Sequence, residues 1–166
     1  EETKGRSKTD IIAEFTQYAY DSLTPLGVFV SADVFGAIIG SEEDAGAVGQ
    51  IYGEMAQNLD YICPMIYPSH YGDGNFGLDH PDLHPYETIL GALQKSEEEL
   101  SAYPEEERQA VVRPWLQDFT ATYLKHHIKY GNDEIREQIQ AVYDAGYEEW
   151  ILWNASNNYH YGGLEQ

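Results

Sequence analysis

The sequence predicts an α/β fold with a parallel sheet, and three observations carry that prediction. Four stretches run apolar residues straight into a polar or aromatic cluster: Gly27 to Asp33, Tyr61 to Tyr67, Val111 to Asp118 and Trp150 to Asn154. Such strands, apolar on both faces, belong in a parallel sheet covered by helices. They recur at intervals of roughly 35 to 50 residues. Segments of helical spacing lie between them, and strand–helix alternation is the signature of right-handed parallel crossovers.

The elements follow in order. Thr9 to Leu23 reads as a helix, with Thr9 or Asp10 near its cap and Ile11, Ile12, Phe15, Tyr18 and Ala19 on one face. Pro25 stops it, and Gly27 opens the first strand. A second helix is expected from about Ala47 to Leu59, where Val48, Ile51, Tyr52, Met55 and Leu59 have helical spacing. After the second strand comes a long Gly/Asp/His/Pro loop, Ser69 to His84, and then a helix from about Pro85 to Glu99. Glu97-Glu98-Glu99 and Glu105-Glu106-Glu107 suit an exposed connection, with a short helical turn starting at Pro104. The last helix starts at Asn132 or Asp133, carries Ile135, Ile139, Val142 and Tyr143 inward, and ends at Gly146.

The order α-β-α-β-α-β-α-β fits a small open sheet or half of an eight-stranded barrel, whose usual length is about 250 residues. Two features favour the half barrel. The chain starts on a helix and stops soon after a strand, and all four strand ends carry chemical groups, whereas an open sheet gathers them at one switch point. The expectation is therefore a single domain over residues 1–166, the C-terminal half of a (β/α)8 barrel. Its open edges would be completed by a missing N-terminal half or by a second copy of the chain.

Composition narrows the function. Twenty-nine acids against nine bases give a net charge of −20, which repels nucleic-acid backbones and anionic lipid. No apolar run reaches the roughly 18 residues of a membrane-spanning helix. The single cysteine, Cys63, lies within an apolar strand and reads as a buried thiol. Fourteen tyrosines and three tryptophans, many just after the strands, suit sugar faces, where C–H groups pack on rings and hydroxyls find polar partners.

The strand ends supply the candidate site. Asp33 closes the first strand, at a position common for a general acid or nucleophile. Tyr67, His70 and Tyr71 follow the second and offer donors to substrate hydroxyls. In Arg113-Pro114-Trp115-Leu116-Gln117-Asp118-Phe119, Asp118 is a second carboxylate, Gln117 a ligand for a sugar hydroxyl and Trp115 a platform. Trp153 and Asn154 end the last strand in a polar-aromatic string. No phosphate loop, nucleophile elbow or cofactor motif is present. His80 and His84 are spaced i, i+4, but Pro81 and Pro85 argue against a helix presenting both to a metal. His126 and His127 read as the exposed end of a helix.

Taken together, Val30 to Gly36, Val48 to Gln50, Asp60 to Tyr71, Val112 to Phe119 and Leu152 to Ala155 resemble a bacterial family assigned to the glycoside hydrolases. It is a barrel family distantly similar to the α-amylase type, once catalogued as a domain of unknown function. The resemblance implies that the chain is the C-terminal half of the domain. It implies an upstream half ending with a strand that carries an Asp in an Asp-Tyr-Ile-Arg-Phe-Pro context, at a position similar to the amylase-type nucleophile, a motif absent here. It implies Asp33 at the acid/base position, where amylase-type enzymes usually carry Glu, and Asp118 at the third, substrate-orienting carboxylate. It also implies a carbohydrate substrate and an extracellular or cell-envelope location. The leading reading is a retaining glycoside hydrolase whose isolated fragment is inactive. The alternatives are a non-catalytic carbohydrate-binding barrel of the cell envelope and a plain structural α/β fragment.

Overall fold

A computed structural model of the chain describes residues 5–104 and 110–164. Within it the chain divides into two compact units, one of residues up to Pro64 together with Ser96–Val112, the other of Met65–Lys95 and Arg113 onward. The turn expected at Glu105–Glu107 lies outside the described residues.

In the first unit, helix α1 (Lys8–Leu23) begins one residue earlier than expected, because Ser7 is its cap. The Ser7 hydroxyl accepts from the Asp10 amide at 3.1 Å while the Asp10 carboxylate accepts from the Ser7 amide at 2.9 Å. These bonds close a capping box with Asp in the reciprocal position and hold the Asp10 pKa below its ordinary value. Helix α1 packs on two short helices, α2 (Glu42–Val48) and α3 (Tyr52–Ala56). The single helix expected over 47–59 is thus broken. Gly49 ends α2 with φ +82°, and a β-carbon there would sit 2.8 Å from the Lys8 β-carbon. Left-handed backbone and close approach both demand glycine.

The apolar stripe of α1 faces outward: Phe15 is 67% exposed and Tyr18 69%. Strand β1 (Ser31–Phe35) starts later than expected, so Asp33 lies at its centre and not at its end. The reason is local. Gly27 (φ +76°) closes a 3-10 turn, and only at Val30, whose amide donates to the Asp60 carboxylate at 2.7 Å, does the backbone join its neighbours. Nor is β1 apolar on both faces, since Val34 alone is buried within it. Strand β2 (Tyr61–Met65) is mostly buried, includes Cys63, and pairs in parallel with β3 (Val111–Val112). Helix α4 (Pro85–Leu100) carries Glu97–Glu99 in its last turn. They are therefore helical and not a connection, and the Glu99 carboxylate accepts from the amides of Gly40 and Gly53 at 2.8 and 3.1 Å.

In the second unit, Met65 pairs in parallel with Trp115 of β4 (Trp115–Gln117), and β4 pairs in parallel with β5 (Ile151–Trp153) along its whole length. The strand expected over 111–118 is two strands, because Pro114 has no amide to give the ladder. Helix α5 (Asn132–Asp144) covers β4 with Ile135, Ile139 and Val142. It is capped at Gly131, one residue before the expected start, where the Glu134 carboxylate accepts from the Gly131 amide at 2.9 Å. Gly146 (φ +88°) follows its last turn. Residues 122–126 form turns and bends and 127–131 no regular element, so His126 and His127 sit on a loop and not on a helix. Among the described residues no helix is long and apolar enough to cross a membrane.

Candidate active site

Because the strands of the second unit run parallel, the loops that follow them (66–84, 118–131 and 154–164) leave from one end of the sheet. Seven of the candidate residues lie on or beside these loops. Asp33 belongs to the first unit, exposed at the centre of β1.

Gln117 ties the loops together. Its side chain is fully buried. The amide oxygen accepts from the Ser69 amide at 3.0 Å, and the amide nitrogen donates to the Asp82 carboxylate at 2.9 Å and to the Phe119 carbonyl at 3.1 Å. Its backbone is matched by Gln138 of α5, which accepts from the Gln117 amide and donates to the Gln117 carbonyl at 2.9 and 2.8 Å. The amide of Gln117 is thus spent inside the protein, fixing two loops and a helix around one strand end. A buried network of this kind is stable only when every member is satisfied.

Asp82 is one of the residues that sequence reasoning misses. It is buried, accepts from Gln117 and from the Ile128 amide at 3.3 Å, and lies near His127. Burial pushes its pKa above the ordinary carboxylate value against those bonds. It borders a cavity of about 440 Å³ that Tyr71, Asp73, His80, Lys125 and His126 also line. The His80 and His126 rings stack at 4.0 Å, nearly parallel, and the His80 Nδ1 lies 2.9 Å from the Asp73 carboxylate. The signal available in the sequence was the length of the Ser69–His84 loop, since long loops in compact domains are usually functional.

Asp118 is also fully buried. Its carboxylate accepts from the His160 amide at 2.9 Å and lies 2.5 Å from His160 Nδ1, whose ring stays partly exposed. Asn154 donates to the Asp118 and Asn158 carbonyls and accepts from Ser156, closing the turn that brings His160 back. Neither His160 nor Gln138 was anticipated, although Gln138 stands out as an amide on the apolar face of α5.

The aromatic candidates pair edge to face: Tyr67 with His70 at 5.0 Å and with Phe119 at 5.8 Å, and Trp115 with Trp153 at 5.8 Å. Loss of solvent around His70 lowers its pKa, and burial raises that of the Tyr71 phenol. Among the described residues no group of three or more His, Cys, Asp or Glu is arranged to hold a metal.

The chain as a whole has relatives. The model of the family described as "Putative glycosyl hydrolase domain" matches residues 1–159. The chain belongs to this family. No curated protein matches it by sequence. Among solved structures, the glycoside hydrolase domain of PgaB (BpsB) from Bordetella bronchiseptica is similar in fold, with a TM-score of 0.52 at 12% identity. The match covers 89% of this chain and 37% of that one, so the chain spans little more than a third of the solved domain's length.

Proposed function

We propose that the chain is part of a glycoside hydrolase barrel that acts on an oligo- or polysaccharide by carboxylate acid/base chemistry, and that the 166 residues alone turn over none. The observation that carries this reading is the gathering, in a member of this family, of aromatic and polar groups on three loops leaving one end of parallel strands. In α/β barrels that end holds the chemistry. By resemblance to the family, Asp33 of the first unit takes the acid/base role and Asp118 of the second the substrate-orienting one, with the nucleophile outside this chain. An acid/base carboxyl and a nucleophile about 5 Å apart would make a retaining enzyme, and two carboxyls about 6.5–9.5 Å apart an inverting one. The outward apolar stripe of α1 supports a barrel completed by further residues or a second copy.

The test is the release of reducing ends from a polysaccharide panel. A protein carrying this chain with the rest of a barrel should hydrolyse a member of the panel, and the isolated chain none. Asp33→Asn and Asp118→Asn should each lose at least about 100-fold in rate. Hydrolysis that survives Asp33→Asn contradicts the assignment. A second reading, a carbohydrate-binding barrel without catalysis, is favoured by the full burial of Asp118 behind His160. It predicts glycan affinity unchanged by Asp118→Asn and no turnover.

A further inference from the structure

The geometry points to Asp118 and His160 as a proton-transfer dyad, in which Nε2 of His160 is the acid–base atom and the buried Asp118 carboxylate is the positioning group behind it. This rests on the hydrolase reading for its reaction and adds a histidine to the carboxylates of that reaction. Three observations lead to it.

The first is how Asp118 is spent. Its side chain has no exposed surface, and both of its oxygens go to one residue. One accepts from the His160 amide at 2.9 Å, and the other meets His160 Nδ1 at 2.5 Å. A group without surface cannot touch a substrate, so its charge reaches one only through the imidazole. A carboxylate offers lone pairs and no proton, so Nδ1 carries the hydrogen of this bond. In the neutral ring Nε2 is then left with its lone pair, the tautomer a base requires. The bonds that His160 makes among the described residues pass through its backbone and Nδ1, and its side chain is 38% exposed. Buried carboxylates orient the imidazoles of hydrolytic triads in the same way.

The second is that the ring is pinned from both sides in sequence. Before it, the Asn154 side chain bonds the Asp118 and Asn158 carbonyls and accepts from the Ser156 amide and hydroxyl at 2.9 and 2.7 Å. After it, the Arg136 guanidinium donates to the Gly162 carbonyl at 3.0 Å. Gly163 lies so close to α5 that a β-carbon there would sit 2.7 Å from that of Ile135. These contacts already close the turn, and the ring bond is additional to them. Rigid support is what an acid–base group needs to meet a reacting atom.

The third is place. Asp118 directly follows β4, and His160 lies on the loop after β5, the parallel neighbour of β4. The dyad therefore stands at the strand end where α/β barrels hold their chemistry. As a base, Nε2 takes a proton from a water or a hydroxyl: the O–H bond breaks as the N–H bond forms. The imidazolium so made faces Asp118 through Nδ1–H. The proton then passes from Nε2 to the leaving oxygen or to solvent, and the dyad ends as it began.

The experiment uses a constraint in Asp118→Asn. The His160 backbone amide can only donate, so it keeps the Asn oxygen and leaves the Asn NH2 to donate to Nδ1. The ring proton moves to Nε2, which loses its lone pair while the shape is kept. Nitrogen–proton correlation spectra of the labelled imidazoles, recorded where the rings are neutral, should show His160 of the chain as the Nδ1–H tautomer and in Asp118→Asn as the Nε2–H tautomer. In a protein carrying this chain with the rest of a barrel, Asp118→Asn and His160→Gln should each lower kcat at least about 100-fold with KM changed less than about threefold. The double variant should lose little more than either single one, since the two residues act as a unit. If Asp118→Asn does not fold, His160→Gln, which keeps the backbone bond to Asp118, carries the test. An Nε2–H ring in the parent, or no switch in folded Asp118→Asn, overturns the dyad. Hydrolysis with kcat unchanged in His160→Gln overturns the proton-transfer role and leaves the hydrolase reading standing. A completed protein that hydrolyses nothing overturns the hydrolase reading and this role with it.

Discussion

The two units differ in emphasis. The first turns apolar side chains outward: Phe15, Tyr18, Leu26, Phe29 and Phe35 are all exposed. The second turns polar side chains inward, burying Asp82, Gln117, Asp118, Gln138 and Asn154, and it holds all six histidines. Exposed apolar surface is what an element shows when its partner lies elsewhere in a larger assembly. Buried, mutually bonded polar groups are what a protein keeps to fix loops in place. On the proposed reading, the first unit supplies packing surface and the second supplies the site.

That contrast can be broken at its strongest point. Gln117→Leu should destabilise the protein by about 3 kcal/mol or more, since it strands the Ser69 amide and the Asp82 carboxylate together. Urea denaturation measures it, and a loss below 1 kcal/mol would mean the network holds nothing. A somewhat smaller effect is expected at Gly91. Alanine normally favours a helix interior by about 1 kcal/mol over glycine. Here it should destabilise by about 1–2 kcal/mol, because the Phe76 ring occupies the space its methyl needs.

The smallest effect is the pH dependence of Asp82. Burial raises its pKa in the native state, so the native protein keeps a proton that the unfolded chain has released. Stability from this group is greatest below the ordinary value of 3.8 and falls as the pH rises from there through the native pKa. Asp82→Asn cannot titrate. The stability advantage of the parent over this variant should therefore shrink from pH 3.5 toward neutrality, read from paired urea midpoints. An advantage that grows with pH would show that the bonds from Gln117 and Ile128 outweigh burial.

Much of the fold was legible and little of the site. Parallel strands were readable because apolar runs of strand length alternated with helical spacing. Their bounds were not, since Pro114 divides one ladder and Val28 and Phe29 look like strand but precede it. The helix over 47–59 failed at Gly49, where a close approach to Lys8 outweighs the periodicity. Phe15 and Tyr18 show the limit of the helical pattern: spacing identifies a face but not what covers it. Gln117 and Asp82 lie 35 residues apart and meet only through the sheet, so no local string reveals their bond. The family resemblance read from the strand-end strings agrees with the family match over residues 1–159.

The central claim is that the loop end of the second unit faces carbohydrate, and nuclear magnetic resonance tests it most directly. The isotopically labelled chain would be titrated with a panel of oligosaccharides, following every backbone amide. The account predicts shifts concentrated in the loops over residues 66–84, 118–131 and 154–164, with α1 and β1 unmoved. Shifts confined to the exposed apolar residues of the first unit, with these loops silent, would contradict it.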